Sequence, residues 1–318
     1  MDTFAAAPTR ATIRAAFDRI APHARRTPVW TPAPGAFGHD GPVSLKLELF
    51  QHAGSFKTRG AFNTLLSKPI PEAGVAAASG GNHGAAVAYA ARRLGVPARI
   101  FVPEISSPAK IAAIRLHGAE IVIGGARYAD AQEACDLHVA QSGALRVHPF
   151  SALETVTGQG TLALEWEEDG PPLDTVLVAV GGGGLISGIA SWWRERVKVV
   201  GVEPEGSRAL HAALETGGPV DVDVNSVAAD SLGARNVGAL VYDLCRDTVD
   251  HVTLVPDAAI AEAQKRLWRD WRIASEPGGA AALAAVTGGA YRPRPGERVG
   301  VLLCGGNVDL NRLAEIAA

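Results

Sequence analysis

The 318-residue chain has the composition of an ordinary globular protein, with 47% apolar and 20% charged residues. It carries 30 Lys and Arg against 33 Asp and Glu, which gives a formal net charge of -3. This balance, without any long run of like charges, argues against a nucleic-acid-binding protein or one that binds anionic membranes. Small molecules are therefore the expected partners.

Residues Met1 to Phe4 precede an amphipathic, arginine-containing stretch and not the apolar segment of a signal peptide. The cysteines are odd in number, far apart and without metal-ligand spacing, which is typical of free thiols in a reducing compartment: Cys135, Cys245 and Cys304. We therefore expect a cytoplasmic protein.

Thr175 to Trp193 is uncharged and close to the length of a membrane span, but its four consecutive glycines favour a buried strand, a turn and a buried helix.

In chain order, Ile13, Phe17 and Ile20 at helical spacing predict an opening helix. Val43 to Phe50 alternates apolar residues with smaller or charged ones and is typical of a half-buried strand. Seven further apolar runs alternate with helical stretches, and we interpret them as strands: Val75 to Ala78, Ala98 to Val102, Glu120 to Ile123, Thr175 to Val180, Val197 to Val202, His251 to Val255 and Val299 to Cys304. This alternation predicts an α/β fold in which helices cover both faces of a parallel sheet.

Several helix ends are also predicted. Ser107 and Pro108 form an N-cap followed by proline at the first helical position, and Gly118 is expected at the far end of that helix. Gly143 is expected to end the helix that contains residues 131–139.

Lys57 is the first candidate for chemistry. Lysine is rare in this chain, since most of the 30 basic residues are arginine, and Lys57 lies in a loop of small residues after the strand predicted for Val43 to Phe50. A partly buried lysine amine can lose its charge and attack a carbonyl group, which is how lysine forms a Schiff base. A solvated lysine in a Gly-Ser loop is the alternative.

Two glycine-containing stretches follow predicted strands and begin predicted helices. Gly181 to Gly184 places backbone amides at a helix N-terminus, where they can bind a phosphate group, and it matches neither a nucleoside-triphosphate loop nor the dinucleotide fingerprint. Ser79 to Gly84 exposes amide donors that suit a carboxylate, and Asn82 can donate or accept a hydrogen bond toward a ring substituent. The alternatives are a flexible hairpin or packing turn for the first stretch and a simple helix cap for the second. His83 taken singly is typical of a packed, hydrogen-bonded histidine.

A Schiff-base lysine, a phosphate site and a carboxylate site at the strand ends of an α/β fold together predict a pyridoxal 5'-phosphate (PLP) enzyme that acts on amino acids. The motifs that carry this prediction are Leu45 to Glu48, Gly54 to Gly60, Ser79 to Gly84, Gly158 to Thr161, Gly181 to Gly184, Glu276 with Pro277, and Cys304 to Asp309. They resemble the motifs of the fold type II PLP enzymes over nearly the whole chain. Their order and spacing are similar to those of the serine/threonine dehydratase and serine racemase branch.

The resemblance implies a role for each motif. Lys57 matches the lysine that carries the cofactor, Phe56 the residue that lies against its ring, and Asn82 the partner of its ring hydroxyl. Glu276 is also expected to contact the cofactor, and Cys304 stands where the family usually has a serine facing the pyridine nitrogen. The cofactor phosphate is expected on Gly181, Gly182, Gly183, Gly184 and Leu185, and the substrate on Ser79, Gly80, Gly81, Asn82 and His83.

The resemblance also implies how the chain is organised, as two parallel-sheet α/β domains with the cofactor in the cleft between them. Residues 1–72 and 150–318 correspond to the large PLP-binding domain, and residues 73–149 to the small mobile domain. A homodimer is expected, with an amino acid as the small-molecule substrate and with no nucleic-acid or membrane partner.

Several positions depart from the family pattern. Gly80 stands where racemases carry a second catalytic serine, and Ala209 stands where metal-binding members carry an aspartate, although Glu203 matches another ligand of that site. We therefore expect no metal site. Ala131 occupies a place where members that act on acidic substrates can use arginine. Arg235 either contacts the substrate side chain or is a plain surface arginine.

These observations predict a PLP-dependent L-serine/L-threonine dehydratase, an ammonia-lyase that forms a 2-oxo acid and ammonia by β-elimination. In this prediction Lys57 removes the Cα proton, and the β-hydroxyl leaves. The alternatives are a serine racemase, a dehydratase of another β-hydroxy amino acid, and a PLP-binding or regulatory homologue without turnover. The intact Lys57 and the intact carboxylate loop disfavour the last of these.

Overall fold

The computed structural model describes residues 7–38 and 41–317, so Met1 to Phe4 lie outside the described residues. The strands of the described chain are β1 (Val29–Trp30), β2 (Val43–Lys46), β3 (Val75–Ala78), β4 (Ala98–Val102), β5 (Glu120–Ile123), β6 (Leu145–Arg146), β7 (Thr175–Ala179), β8 (Lys198–Pro204), β9 (His251–Val255) and β10 (Val299–Leu302). Its α-helices are α1 (Arg10–Ile20), α2 (Lys57–Ser67), α3 (Asn82–Leu94), α4 (Pro108–Arg115), α5 (Tyr128–Ser142), α6 (Leu153–Asp169), α7 (Gly184–Trp193), α8 (Ala209–Thr216), α9 (Ala229–Leu232), α10 (Gly238–Arg246), α11 (Asp257–Trp271), α12 (Pro277–Thr287) and α13 (Leu310–Ala317). Short 3-10 turns span Glu48–Phe50, His52–Gly54 and Arg194–Arg196.

The strands form two separate sheets. One has six strands in the order β1-β2-β10-β7-β8-β9, and the other has four strands in the order β5-β4-β3-β6. Within the described chain every neighbouring pair is parallel except β1 with β2. The predicted α/β fold with parallel sheets is therefore confirmed.

The centre of each sheet is buried, as expected when helices cover both faces. Every residue of β7 and β10 is buried in the larger sheet, and every residue of β3 is buried in the smaller one.

Helix α6 packs against both α2, which begins at Lys57, and α7, which begins at Gly184. A Cβ atom on Gly158 would lie 2.8 Å from the carbonyl oxygen of Arg59 in α2, and one on Gly188 of α7 would lie 2.6 Å from the amide nitrogen of Gly160. Glycines in α6 and α7 thus let these three helices approach closely.

Most predicted boundaries agree with the structure. The opening helix is α1, Ser107 caps α4 by accepting a hydrogen bond from the amide of Lys110 at 3.4 Å, and Gly143 follows α5 with a φ of 72°. Helix α4 ends at Arg115, three residues before Gly118, which closes the turn that follows. Thr175 to Trp193 forms β7, the glycine turn and α7. In the part of the chain that the structure describes, we find no helix with both the length and the apolarity to cross a membrane.

Two predictions were wrong in detail. The strand predicted for Val43 to Phe50 ends at Lys46, and Glu48–Phe50 forms a 3-10 turn. The alternation of polar and apolar residues misled us because Lys46 and Glu48 are themselves buried. Lys57 does not lie in a loop, since it is the first residue of α2.

Candidate active site

Three of the predicted site segments follow the carboxyl ends of parallel strands, one in the smaller sheet and two in the larger sheet. Ser79 directly follows β3, Gly181 lies two residues beyond β7, and Cys304 lies two residues beyond β10. In open α/β sheets, ligands bind at this edge. The topology therefore places residues that are far apart in the sequence at the ligand-binding edges of the two sheets.

Lys57 begins α2, and its Nζ donates a hydrogen bond to the carbonyl oxygen of Pro149 at 2.8 Å. Burial lowers the pKa of the Lys57 amine to about 8, while Cys304 and Glu276 oppose this shift. About half of a group with that pKa is neutral at pH 8, and only a neutral amine is a nucleophile or a base. The Nζ atom lies 5.1 Å from the ring centroid of Phe56, which is partly buried against the core.

Cys304 lies on the segment that pairs with the residues before Lys57. The amide of Phe56 donates to the carbonyl oxygen of Cys304 at 3.1 Å, and Ser55 forms an isolated antiparallel bridge with Gly305. The Cys304 thiol is buried, with its Sγ 3.6 Å from the carbonyl oxygen of Gly278. Burial, reinforced by Glu276, raises the pKa of this thiol well above its ordinary value, so the group is neutral.

The glycine loop has the features of a phosphate site. Among the described residues, the backbone amides of Gly181, Gly182 and Gly183 donate to no acceptor, and they precede the positive end of α7. A Cβ atom on Gly182 would lie 2.2 Å from Cδ1 of Phe150, and Gly183 has a φ of 79°, so neither position accepts a side chain without strain. Leu185 is buried in the first turn of α7.

The loop from Ser79 to His83 begins α3 in a similar way. The amide of Ser79 is used in the sheet, where it donates to Phe101, and the amide of Gly81 donates to the Ser79 hydroxyl at 3.1 Å. Within the described chain, the amides of Gly80, Asn82 and His83 donate to no acceptor. These free donors at a helix N-terminus suit a carboxylate group.

The space beside Gly80 is filled from another loop. A Cβ atom on Gly80 would lie 1.8 Å from Oγ of Ser106, in the segment that follows β4. The carboxylate loop therefore has the Ser106 hydroxyl beside Gly80, a contact that sequence reasoning did not identify.

The pKa values of His83 and His148 are both lowered, chiefly by burial and in part by the charge of Lys57, so both imidazoles are neutral near pH 7. His83 is buried, its Nε2 lies 2.9 Å from the carbonyl oxygen of Val147, and burial together with the Lys57 charge lowers its pKa to about 3. Burial lowers the pKa of His148 to about 4, and its Nδ1 accepts a hydrogen bond from the amide of Ser151 at 2.8 Å. His83 thus fastens α3 to the neighbouring segment, in agreement with the interpretation of a packed histidine.

Asn82 is hydrogen-bonded on both sides of its amide group. Its Nδ2 donates to Oε1 of Glu276 at 2.6 Å, and its Oδ1 accepts from Nδ2 of Asn307 at 2.8 Å. Burial raises the pKa of Glu276 to about 7. These contacts join α3, next to the smaller sheet, to segments next to the larger sheet. One amide hydrogen of Asn82 remains for a ligand.

The other residues discussed from the sequence lie elsewhere. Arg235 is exposed, which favours a plain surface arginine, and Ala131 is buried in a small cluster with Cys135. Both carboxylate oxygens of Glu203 accept amide hydrogen bonds at the start of α8, from Leu210 at 2.9 Å and His211 at 2.8 Å. The part of the chain that the structure describes contains no group of three or more His, Cys, Asp or Glu side chains arranged to bind a metal ion.

Sequence reasoning also missed the segment from Val147 to Ser151. This segment supplies the Pro149 carbonyl that accepts from Lys57 and the Phe150 ring that packs against Gly182. It follows β6, which has only two residues and therefore gives no periodic signal. The contacts made by this segment could not be found from the local pattern.

The residues present fit PLP. Three free amides at the glycine loop match a phosphate, the Lys57 amine matches an aldehyde, and the buried Oγ of Ser55, two residues before Lys57, has no hydrogen-bond partner in the described chain. An enzyme site built to take a small polar molecule shows such unpaired groups.

Comparison with known proteins also indicates a PLP enzyme. A family model described as pyridoxal-phosphate dependent enzyme matches residues 20–305. Phenylserine dehydratase from Ralstonia pickettii is 42% identical over 304 residues, which cover 92% of this chain and 90% of that protein. L-Threonine ammonia-lyase from Geobacter sulfurreducens is 38% identical over 280 residues, which cover 86% of this chain and 69% of that protein. Maize serine racemase has a similar structure, with a TM-score of 0.91 and 34% identity over 98% of this chain and 97% of that one. The chain therefore belongs to the pyridoxal-phosphate dependent enzymes, with the fold of their type II members.

Proposed function

We propose that this protein is a PLP-dependent dehydratase of β-hydroxy amino acids, with L-serine and L-threonine as substrates, which forms a 2-oxo acid and ammonia. The observation that carries the proposal is the Lys57 amine, whose pKa is lowered to about 8, in a site with two loops of free backbone amides. One loop suits the cofactor phosphate, and the other suits the substrate carboxylate.

In this proposal, bound PLP supplies an electron sink for the pair released at the substrate Cα. Lys57 would hold the cofactor through its amine, Phe56 would lie against the ring, and Asn82 would donate its remaining amide hydrogen to the ring hydroxyl. The phosphate is bound by the amides of the glycine loop, which are those of Gly181, Gly182, Gly183, Gly184 and Leu185. Cys304 would face the pyridine nitrogen as a neutral thiol, and Glu276 orients Asn82 by accepting its hydrogen bond.

The proton transfers follow from the same residues. The free amine of Lys57 would remove the Cα proton and would then hold the proton that the β-hydroxyl needs to leave as water. Hydrolysis of the resulting enamine would consume one water and give the 2-oxo acid and ammonia. The free amides of Gly80, Asn82 and His83 hold the substrate carboxylate, together with Ser79 and Gly81 in the same loop. A neutral thiol at Cys304 cannot keep the ring nitrogen protonated as a carboxylate would, which favours β-elimination over transamination.

We also propose that residues 1–72 and 150–318 form a large PLP-binding domain and that residues 73–149 form a small mobile domain. This division is supported by the sheets, since every strand of the four-stranded sheet lies within 73–149 and every strand of the six-stranded sheet lies outside it. A cytoplasmic homodimer remains our proposal for the cellular form. The three cysteines, all free and buried, are consistent with a reducing compartment.

A specific observation favours a second candidate, phenylserine. The phenylserine dehydratase of Ralstonia pickettii is 42% identical and is covered over 90% of its length. Both candidates share the same elimination chemistry and differ only in the substituent on the β-carbon. A serine racemase is the third candidate, because maize serine racemase has the same fold at 34% identity.

A substrate panel tests the proposal. The PLP-loaded protein is incubated with L-serine, L-threonine and phenylserine, the release of 2-oxo acid and ammonia is measured, and kcat/KM is compared between substrates. We expect equal amounts of the two products from L-threonine and L-serine, and no product with Lys57→Ala. A kcat/KM for phenylserine at least tenfold above both would select the second candidate. Absence of 2-oxo acid from all three substrates would refute the proposed function.

A further inference from the structure

Four ionised side chains meet inside the protein, and we call them the buried ion cluster: Lys46, Glu48, Arg59 and Glu165. Each side chain is at most 2% exposed. Lys46 Nζ lies 2.6 Å from Glu165 Oε1, and the Arg59 guanidinium contacts Glu48 Oε1 at 2.6 Å, Glu48 Oε2 at 3.0 Å and Glu165 Oε2 at 2.9 Å. Thr27 completes the cluster, since its hydroxyl donates to Glu48 at 2.7 Å and its amide to Glu165 at 2.8 Å. Two cations and two carboxylates make the cluster neutral as a whole.

The cluster connects the elements that place Lys57. Lys46 belongs to β2, Glu48 to the 3-10 turn that follows, Arg59 to the first turn of α2, and Glu165 to α6. Arg59 is two residues beyond Lys57 on the same helix.

The same stretch of chain is also paired with the end of β10. The carbonyl oxygen of Lys46 accepts from the amide of Leu303 at 3.0 Å, and the amide of Leu49 donates to the carbonyl oxygen of Leu303 at 2.9 Å. Cys304 is the next residue, and its own carbonyl oxygen accepts from Phe56. The chain from Lys46 to Arg59 is therefore held by backbone pairing at Cys304 and by ion pairs at α6.

Stability alone does not account for this arrangement. Removing four charges from water carries a large desolvation cost, and apolar side chains of similar volume are often as stable or more stable. Ion pairs in a dry interior depend strongly on distance and direction, whereas apolar contacts allow neighbouring elements to shift. A cluster of this kind fixes the register of the elements that it joins.

We propose that the buried ion cluster positions Lys57 by fixing the first turn of α2 against α6 and against the segment that leads to Cys304. Its members are positioning residues, because they act on the Lys57 amine through the helix. The inference rests on the proposed role of Lys57. A misplacement of about 1 Å at a reacting group can cost about 100-fold in rate.

The first test compares two glutamates on α6. Glu165→Gln keeps the shape of the side chain but removes one charge of the cluster, and Glu168→Gln does the same at an exposed position that pairs with Arg14 at 2.7 Å and Arg26 at 3.1 Å. For the PLP-loaded proteins we would measure kcat, KM, and the circular dichroism of the bound cofactor in the visible region per mole of PLP. We expect Glu165→Gln to lower kcat by about 10- to 100-fold, to alter the cofactor dichroism and to leave KM within about twofold. Glu168→Gln should change none of these quantities.

The second test separates positioning from stability. Lys46→Met/Glu165→Gln removes one positive and one negative charge together, keeps an oxygen at position 165 to accept from the Thr27 amide, and leaves Arg59 paired with Glu48. The melting temperature should therefore stay close to that of the wild type. We expect kcat and the cofactor dichroism to remain impaired. Wild-type kcat and dichroism in this stable variant would overturn the inference. Should the double variant not fold, Arg59→Lys gives the same comparison. It keeps the positive charge but lacks the guanidinium group that contacts Glu48 and Glu165 at the same time.

These results are distinguishable from a failure of the proposed function. If wild-type PLP were attached to a lysine other than Lys57, the proposed function would fail whatever the cluster variants show. If PLP is on Lys57 and the variants behave as the wild type, only the positioning inference fails.

Discussion

The glycine loop after β7 and the carboxylate loop after β3 have the same local design, yet they are held in different ways. In the glycine loop, other side chains fill the space that a Cβ atom would need: Phe150 fills it at Gly182, and Val241 fills it at Gly183. In the carboxylate loop, Ser106 fills the space beside Gly80, but Gly81 is open, with its nearest neighbour 3.8 Å from a Cβ atom. Hydrogen bonds of the Asn82 and His83 side chains hold the rest of this loop.

The two loops are therefore suited to different ligands. The glycine loop is fixed by apolar packing against Phe150 and Val241, which suits a cofactor that stays bound. The carboxylate loop is fixed by the Asn82 contacts with Glu276 and Asn307, next to the other sheet. Its geometry therefore depends on how the two sheets are placed relative to each other, which suits a substrate that must enter and leave.

The sharpest test of this comparison uses matched glycines. Gly182→Ala places a methyl group 2.2 Å from the Phe150 ring, so either the ring or the loop must move. Overpacking of this kind costs about 1 to 3 kcal/mol. We expect the dissociation constant for PLP, measured by absorbance titration, to rise by at least about tenfold.

Gly81→Ala is the control, because the space around Gly81 is open. It should leave the PLP dissociation constant within about twofold of the wild type. Equal effects of the two substitutions would contradict the proposed difference between the loops.

A second prediction concerns the chemistry that the carboxylate loop allows. We expect elimination to dominate over racemisation, because Gly80 has no side chain to return a proton to the face opposite Lys57. Pyruvate should form faster than D-serine when L-serine is supplied and the remaining amino acid is resolved on a chiral column. D-Serine forming faster would contradict this prediction, and its loss in Ser106→Ala would identify Ser106 as the missing acid.

A serine placed at position 80, where racemases carry their second catalytic serine, would clash with Ser106. Gly80→Ser alone would meet Oγ of Ser106 at 1.8 Å from its Cβ atom, so we expect it to lower kcat/KM for elimination by at least about tenfold. Gly80→Ser/Ser106→Gly removes the clash and should recover most of that activity. If the single variant were as active as the double variant, the packing of Ser106 on Gly80 would be refuted.

A smaller effect is expected at the end of β10. Cys304→Ser keeps a neutral group of similar shape, since the raised pKa of the thiol keeps it protonated in the wild type. Activity should stay within about tenfold, a barrier change of about 1.4 kcal/mol. Complete loss of activity in a folded, PLP-loaded variant would show that the sulfur has a specific role.

The smallest effect is expected from chelation. Hard cations need several oxygen ligands, whereas Glu203 already uses both carboxylate oxygens at the start of α8, and Ala209 offers none. Burial raises the pKa of Glu203 to about 8, which further weakens it as a ligand near neutral pH. Treatment with EDTA should leave kcat within about twofold. A large loss of activity that magnesium or calcium restores would contradict the prediction.

The sequence predicted well those features that depend on neighbours along the chain. A buried strand, four glycines and a helix are contiguous, so the arrangement from Thr175 to Trp193 could be predicted in full. The Ser107 cap and Gly143 at the end of α5 are local in the same sense.

Features that depend on distant residues were missed. Lys46 and Glu48 looked like the solvent side of a strand, because their partners Glu165 and Arg59 are separated from them by 119 and 11 positions. The contact of Ser106 with Gly80 and that of Lys57 with Pro149 join different loops. Composition and periodicity carry no information about such pairs.

The proposed function depends on Lys57 as the residue that holds the cofactor. The PLP-loaded protein would be reduced with borohydride and digested, and the cofactor-labelled peptide would be identified by mass spectrometry. The label should lie on Lys57, and Lys57→Ala should lose the visible absorption of the bound cofactor together with at least about 100-fold in kcat. A label on Lys46 or Lys110, or wild-type absorption and turnover in Lys57→Ala, would contradict the account.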